Sequence, residues 1–394
     1  MKPAYLFKAG WRVFFLAAGI WAMISVAVWT LWLAGLGGSG TGAGVAPQLW
    51  HAHEMIFGYA TAAMGGFFLT AVPNWTGAKA APERFVMLVA GLWLAGRLAV
   101  ALAGLLPPVL VAAIDLSFLP VLAAKVLTQL MARPKPQNMM FLLLITMVWS
   151  ANLLVHLEWL GLAGTEWLGL RGGLLAIAAM IAALGGRVTP AFTRNALIRA
   201  GREDRLPVSR PWLDLPGTAL PILTALVVLA GAPDAIGGIL AIAAGLVAAA
   251  RLSGWRPLAL PGQPIVWALH LGYAMLALGL VVWGLAQLGW GSETGALHIL
   301  GIGAIGGMTL AVMSRASLGH SGRALVAPRA VAIAYGLIPL AVALRWAGSA
   351  FAASFYLPGV IGSGLLWCAA FALYLGALWP IFFELRRNEA EVAA

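Results

Sequence analysis

LWHAHEMIFGYATAAMGGFFLTAV, residues 49–72, is the stretch that decides the fold. It carries one acid, Glu54, and two imidazoles, His51 and His53, in a run that is otherwise almost wholly apolar. As a helix it covers the roughly 30 Å of a bilayer's hydrocarbon core. It lacks the alternation of a barrel strand, and backbone satisfaction in lipid then leaves only the helix. Ionisable groups inside such a run cost several kcal/mol unless paired or ligated, so His51, His53 and Glu54 are candidate functional groups by default.

Working outward, runs of the same kind recur from end to end of the 394 residues, of which 62% are hydrophobic and 9% charged. That balance excludes a soluble domain. Twelve spans are expected, near 12–36, 50–73, 84–105, 108–130, 138–158, 165–189, 212–231, 233–252, 264–289, 294–314, 328–347 and 351–383. The fold class is therefore an all-α, multi-pass membrane bundle. The first span is too long for a signal peptide, lacks a clear cleavage site, and is expected to stay as a helix.

Lys and Arg fall almost wholly in alternate loops, which by the positive-inside rule puts both termini in the cytoplasm. Lys2, Lys8 and Arg12, then Lys79 and Arg84, Arg133 and Lys135, the segment from Arg187 to Arg210, Arg251 and Arg256, Arg315 to Arg329, and Arg386 with Arg387 mark that side. Glu158, Glu166, Asp234 and Glu293 mark the other. The net charge of +11 is thus a topology signal, and arginines divided among short loops do not make a nucleic-acid surface. A single cysteine, Cys368, excludes an intramolecular disulfide framework and a cysteine-held iron–sulfur cluster, leaving imidazole, carboxylate or methionine to hold a metal.

Three helices share a glycine pair, Gly65-Gly66, Gly185-Gly186 and Gly306-Gly307, about 120 residues apart. One reading is three four-helix units, about 12–130, 138–252 and 264–383, within a single membrane domain over 1–394. The other is that small residues let membrane helices pack closely.

The remaining histidines extend the candidate site. With the expected topology, His51, His53, His156 and His298 lie at one depth in the outer half, and His270 and His320 lie toward the cytoplasm. His51 and His53, two residues apart, point about 200° apart on a helical wheel, so one regular helix does not aim both at one site. All six are candidate metal ligands. Haem needs one or two imidazoles, an apolar slot and cations for its propionates; His53, His156, His270 and His298 are the candidate ligands, with Arg97, Arg187 and Arg315 as candidate propionate partners. Arg97 pairs either a propionate or Asp115, both residues lying seven or eight positions from the outer ends of their helices. Copper is the other metal that suits imidazole, softened by methionine. Glu54 and Tyr59 are candidate proton donors, although Glu54 also reads as a helix-start carboxylate favoured by the dipole.

The segments LWHAHEMIFGYATAAMGGFFLTAVPNWTG, GGRVTPAFTRN and ALHILGIGAIGGMTLAVMSRASLGHSGR resemble the signature segments of the NnrS family, a similarity that extends over essentially the whole chain. The resemblance implies a bacterial inner-membrane protein containing haem b and copper, connected with nitric oxide metabolism and nitrosative stress. Its histidines carry over onto His51, His53, His156, His270, His298 and His320, without saying which hold haem and which copper. The activity expected is reduction of nitric oxide to nitrous oxide, with electrons from quinol or another donor. The competing expectations are a nonenzymatic haem or nitric oxide binder, sensing or protective, and a membrane transporter. The His-His dipeptide of haem–copper oxidases is absent, so common ancestry with them is not implied.

Overall fold

The computed structural model of the protein describes residues 3–36, 45–351 and 353–384. Twelve helices long and apolar enough to cross a membrane follow one another, and no strand forms among the described residues. They are α1 (Gly10–Leu33), α2 (Pro47–Thr76), α3 (Glu83–Ala101), α4 (Pro108–Leu130), α5 (Pro136–Trp159) and α6 (Glu166–Arg199), then α7 (Pro211–Leu229), α8 (Asp234–Ser253), α9 (Pro264–Gln287), α10 (Glu293–His320), α11 (Arg329–Ala350) and α12 (Ala353–Phe383).

Local sequence sets many of these limits. Proline opens α2, α4, α5, α7 and α9, where its missing N–H would lack an intrahelical partner anyway and its fixed φ suits a first turn. Gly77 ends α2 with a left-handed φ of 72°, a conformation that costs a residue with a Cβ but not glycine. The spans follow the apolar runs closely except that α6 and α10 continue to Arg199 and His320. The apolar window marks where hydrocarbon ends; backbone hydrogen bonding is indifferent to that limit, and long arginine side chains carry a helix out to the polar phase.

Two helices are not regular. In α2 the α-helix Pro47–His53 gives way to a π-helical stretch, Glu54–Ala60, before α-geometry resumes at Thr61. In α10 the same change follows His298, with a π-helical stretch over Ile299–Gly306. Such stretches are rare and cluster at functional positions. A third irregularity divides α4 into Pro108–Asp115 and Phe118–Leu130. Tryptophans from neighbouring helices reach backbone carbonyls near these changes of pitch. Trp93 Nε1 donates to Gly58 O at 2.9 Å, and Trp149 Nε1 donates to Leu116 O at 3.0 Å.

The chain forms two compact units. The first comprises the chain to Gly173, with Met313–Leu325 and the chain from Phe371; in it α2 packs on α1 and α4, and α4 packs on α3 and α5. The second comprises Leu174–Val312 and Val326–Ala370; in it α8 packs on α7 and α9, and α10 on α9 and α11. The glycine pairs serve close approach in both. A Cβ at Gly66 would stand 2.6 Å from the Phe15 ring, one at Gly186 2.3 Å from Arg251 Nη2, and one at Gly306 2.3 Å from Trp367.

Candidate functional site

The first unit buries a cluster of polar groups on four helices. His53 and Glu54 come from α2 at the start of the π-helical stretch, Arg97 from α3, Asp115 from α4 where that helix breaks, and Asn152 and His156 from α5 one turn apart. His53 and Glu54 have no exposed surface, and Arg97, Asp115, Asn152 and His156 are 4% exposed or less. Polar groups this deep persist only when their partners are provided.

Asp115 is the centre. Its Oδ1 accepts from Arg97 Nη2, and its Oδ2 accepts from Asn152 Nδ2 at 2.8 Å and lies 2.9 Å from His156 Nε2 and 3.3 Å from His53 Nε2. Arg97 bridges to the second acid, its Nη1 donating to Glu54 Oε1 at 2.6 Å. Glu54 Oε1 also lies 3.0 Å from His53 Nδ1, while Oε2 accepts from Trp21 Nε1 at 2.7 Å. His53 Nε2 donates to Asn152 Oδ1 at 2.9 Å.

Glycines make the assembly possible. A Cβ at Gly58 would stand 2.6 Å from Trp21 Nε1 and 2.9 Å from Glu54 Oε2, so only glycine leaves room for that hydrogen bond. A Cβ at Gly96 would stand 2.8 Å from Asp115 Oδ1, so glycine there lets α3 bring Arg97 against α4.

Two carboxylates face one guanidinium, and His53, with oxygen acceptors at both ring nitrogens, supplies the second positive charge as an imidazolium in this arrangement. One potential ligand atom from each of His53, Asp115 and His156 lies within 4.8 Å of the others, all three residues buried. Two imidazoles and a carboxylate are a donor set for a small transition-metal ion; such an ion would displace a His53 ring proton and replace the hydrogen bonds now made among the three.

The pattern can be compared with known proteins. A family model described as NnrS protein matches residues 5–386.

The chain belongs to the NnrS family.

No curated protein sequence matches it. Haem and copper, which this family implies, can be tested against the residues present. Haem does not fit between His53 and His156. Asp115 and Asn152 already stand within 3.3 Å of the ring nitrogens, and the two rings meet at 81° with centroids 5.7 Å apart, leaving no slot for a macrocycle. A small ion such as copper suits the donors.

The other sequence candidates of this NnrS-family chain are placed elsewhere. His51 stacks on Trp29, ring centroids 5.1 Å apart, consistent with its pointing away from His53. His320 stacks on Trp11 at 6.4 Å, and Tyr59 is buried edge-on to Phe371. In the second unit, His270 Nδ1 faces Val266 O at 3.1 Å and its Nε2 faces Trp255 O at 3.3 Å and Thr193 Oγ1 at 3.2 Å. Acceptors flank both nitrogens, as they do at His53, but among the described residues His270 joins no group of three potential metal ligands. His298 differs: its Nδ1 donates to Thr294 O at 2.7 Å, which fixes the tautomer with the lone pair on Nε2, the arrangement common among metal-binding histidines. Gly301 beside it is roomy, a Cβ there meeting only Leu174 at 3.9 Å. Arg187 is half-buried and Arg315 buried.

The structure therefore joins His53, Glu54, Arg97 and His156, and pairs Arg97 with Asp115. Asn152, Trp21 and Trp159 escaped the sequence reading. Asn152 had a signal, since it stands four residues before His156 and so shares its helix face. Trp21 and Trp159 had none among so many tryptophans.

Proposed function

We propose that this NnrS-family chain is a redox protein of nitric oxide metabolism in the bacterial inner membrane, reducing nitric oxide to nitrous oxide with electrons from quinol or another donor. The reaction balances as two nitric oxide molecules, two electrons and two protons giving one nitrous oxide and one water. The observation that carries the reading is a buried His53–Asp115–His156 donor set in a chain of this family. Copper is the proposed occupant of that set, and haem b is assigned to the second unit at His298. When bound, these metals supply the one-electron redox chemistry that no amino-acid side chain here provides.

The chain's own residues have definite tasks. Arg97 holds both carboxylates and fixes which oxygen of Asp115 turns toward the imidazoles. Asn152 orients Asp115 and His53 together. Glu54, held by Arg97 and Trp21, is the acid nearest His53 and the proposed proton donor. Tyr59 keeps its candidacy only through its place in the same π-helical stretch. The apolar surroundings exclude bulk water while admitting a small uncharged gas.

A nonenzymatic nitric oxide binder is the second reading, favoured by the closure of the network around Glu54 and Asp115. Purified protein decides between them. With reduced quinol and nitric oxide it is expected to release nitrous oxide, and Asp115→Ala and His53→Ala are expected to lose copper while keeping the haem absorption. Spectral change without nitrous oxide leaves the binder; copper unaltered in both variants removes the metal assignment.

A further inference from the structure

The cluster is walled on most sides by groups set within helices. Trp21 is hydrogen-bonded to Glu54, Trp93 to Gly58 O, Phe57 packs on His53 with ring centroids 5.1 Å apart, and Asn152 bridges Asp115 and His53. One side is built differently. Trp159, the last residue of α5, lies with its ring centroid 5.0 Å from those of both His53 and His156. It stands three residues beyond His156, about 4.5 Å further along the axis, and is partly exposed. Its outer neighbours are an apolar group centred on Trp50, Ala99, Val100 and Val111.

A single polar bond holds that ring. Trp159 Nε1 donates to Glu166 Oε1 at 2.6 Å, across the turn that joins α5 to α6, and the Glu166 backbone N–H donates to Glu158 Oε2. An indole has a donor and no acceptor, so it cannot pass a proton from Glu166 to an imidazole. While seated, Trp159 therefore insulates the cluster from the water beside Glu158. When it swings out, the two imidazoles and two carboxylates meet that water directly. Helix ends next to turns open at lower free energy than helix interiors, which makes this the weakest point of the enclosure.

We propose that Trp159, latched by Glu166, is the door through which small hydrated cations and protons reach His53, Asp115 and His156. The proposal is independent of whether the occupant is a metal ion or a proton. It places access at the α5–α6 turn and assigns Glu166 a role as latch, with no part in proton transfer through the seated ring.

Carbethoxylation of the purified protein by diethyl pyrocarbonate, read histidine by histidine by peptide mass spectrometry, tests it without a known ligand. In the wild type, His156 and His53 are expected to react slowly. Trp159→Ala is expected to speed His156 at least tenfold, and Glu166→Ala severalfold, with His270, 3% exposed in the second unit, unchanged as the internal measure of folding. Unchanged His156 reactivity in Trp159→Ala overturns the proposal. If His270 accelerates too, Trp159→Ala has unfolded and Glu166→Ala decides: a selective rise at His156 supports the door, and none overturns it. A larger rise in Trp21→Phe than in either variant places the opening at α1 and also overturns it.

Discussion

Asp115 shows how strongly one residue can be committed. It takes the Arg97 guanidinium on one oxygen and meets Asn152, His156 and His53 on the other. Removing one member of a buried, charge-paired group leaves the rest uncompensated and typically costs about 3–5 kcal/mol. Asp115→Ala is therefore expected to lower the thermal midpoint in detergent sharply. Arg97→Leu, which strands two carboxylates, should do so at least as strongly; equal melting of both variants and wild type would remove the assigned pairing. Asn152 is a subtler case, since it carries no charge but orients two candidate ligands. Loss of such an orienting partner commonly weakens a metal site roughly 10–100-fold. Asn152→Ala is expected to weaken copper binding by that order in a competition titration while melting near the wild type.

At the scale of the element, irregular helices make the site. The π-helical stretch Glu54–Ala60 follows His53 directly, and α4 breaks immediately after Asp115. Trp93 and Trp149 donate to the Gly58 and Leu116 carbonyls beside them. Gly58 and Gly96 are the positions where a methyl group would meet the site itself. Gly96→Ala is expected to force α3 away from α4 and cost about 1–3 kcal/mol, the usual range for overpacking, with loss of copper before loss of fold. In the second unit Arg251 is clasped by Asp214 at 3.0 Å and Tyr273 OH at 2.7 Å, with Gly186 making the space. Gly186→Ala drives a methyl into that guanidinium and should destabilise the protein by a similar amount, measured by the same melting experiment, without changing copper binding at the site proposed around His53. Nothing in the three glycine-pair motifs distinguishes their tasks. One admits a phenylalanine, one an arginine and one a tryptophan, and only the folded neighbours reveal which.

For the whole molecule, twelve spans were legible because hydrocarbon imposes one strong demand on every residue of a run. The alternation of Lys and Arg predicts cytoplasmic termini, and the lone Cys368 makes a clean test accessible. In a Cys368→Ser background, a cysteine placed at Glu203 should react with an impermeant maleimide only after the cells are opened, and one at Asp234 should react in intact cells whose outer membrane has been permeabilised. The opposite pattern inverts the topology.

The sequence by itself determined the all-helical class, the number of spans and the family, and offered Asp115 as one of two partners for Arg97, because hydropathy, charge bias and depth along a helix are properties of short stretches. It also separated His51 from His53, since helical periodicity alone turns them apart. Which histidines meet was decided by tertiary structure. His53 and His156 converge on Asp115 while His51 finds Trp29, His320 finds Trp11 and His270 finds backbone carbonyls. That choice depends on a π-helical shift, a broken helix and the rotation of four helices about their axes. Hydropathy does not encode rotation; it is set by the packing of side chains from distant parts of the chain.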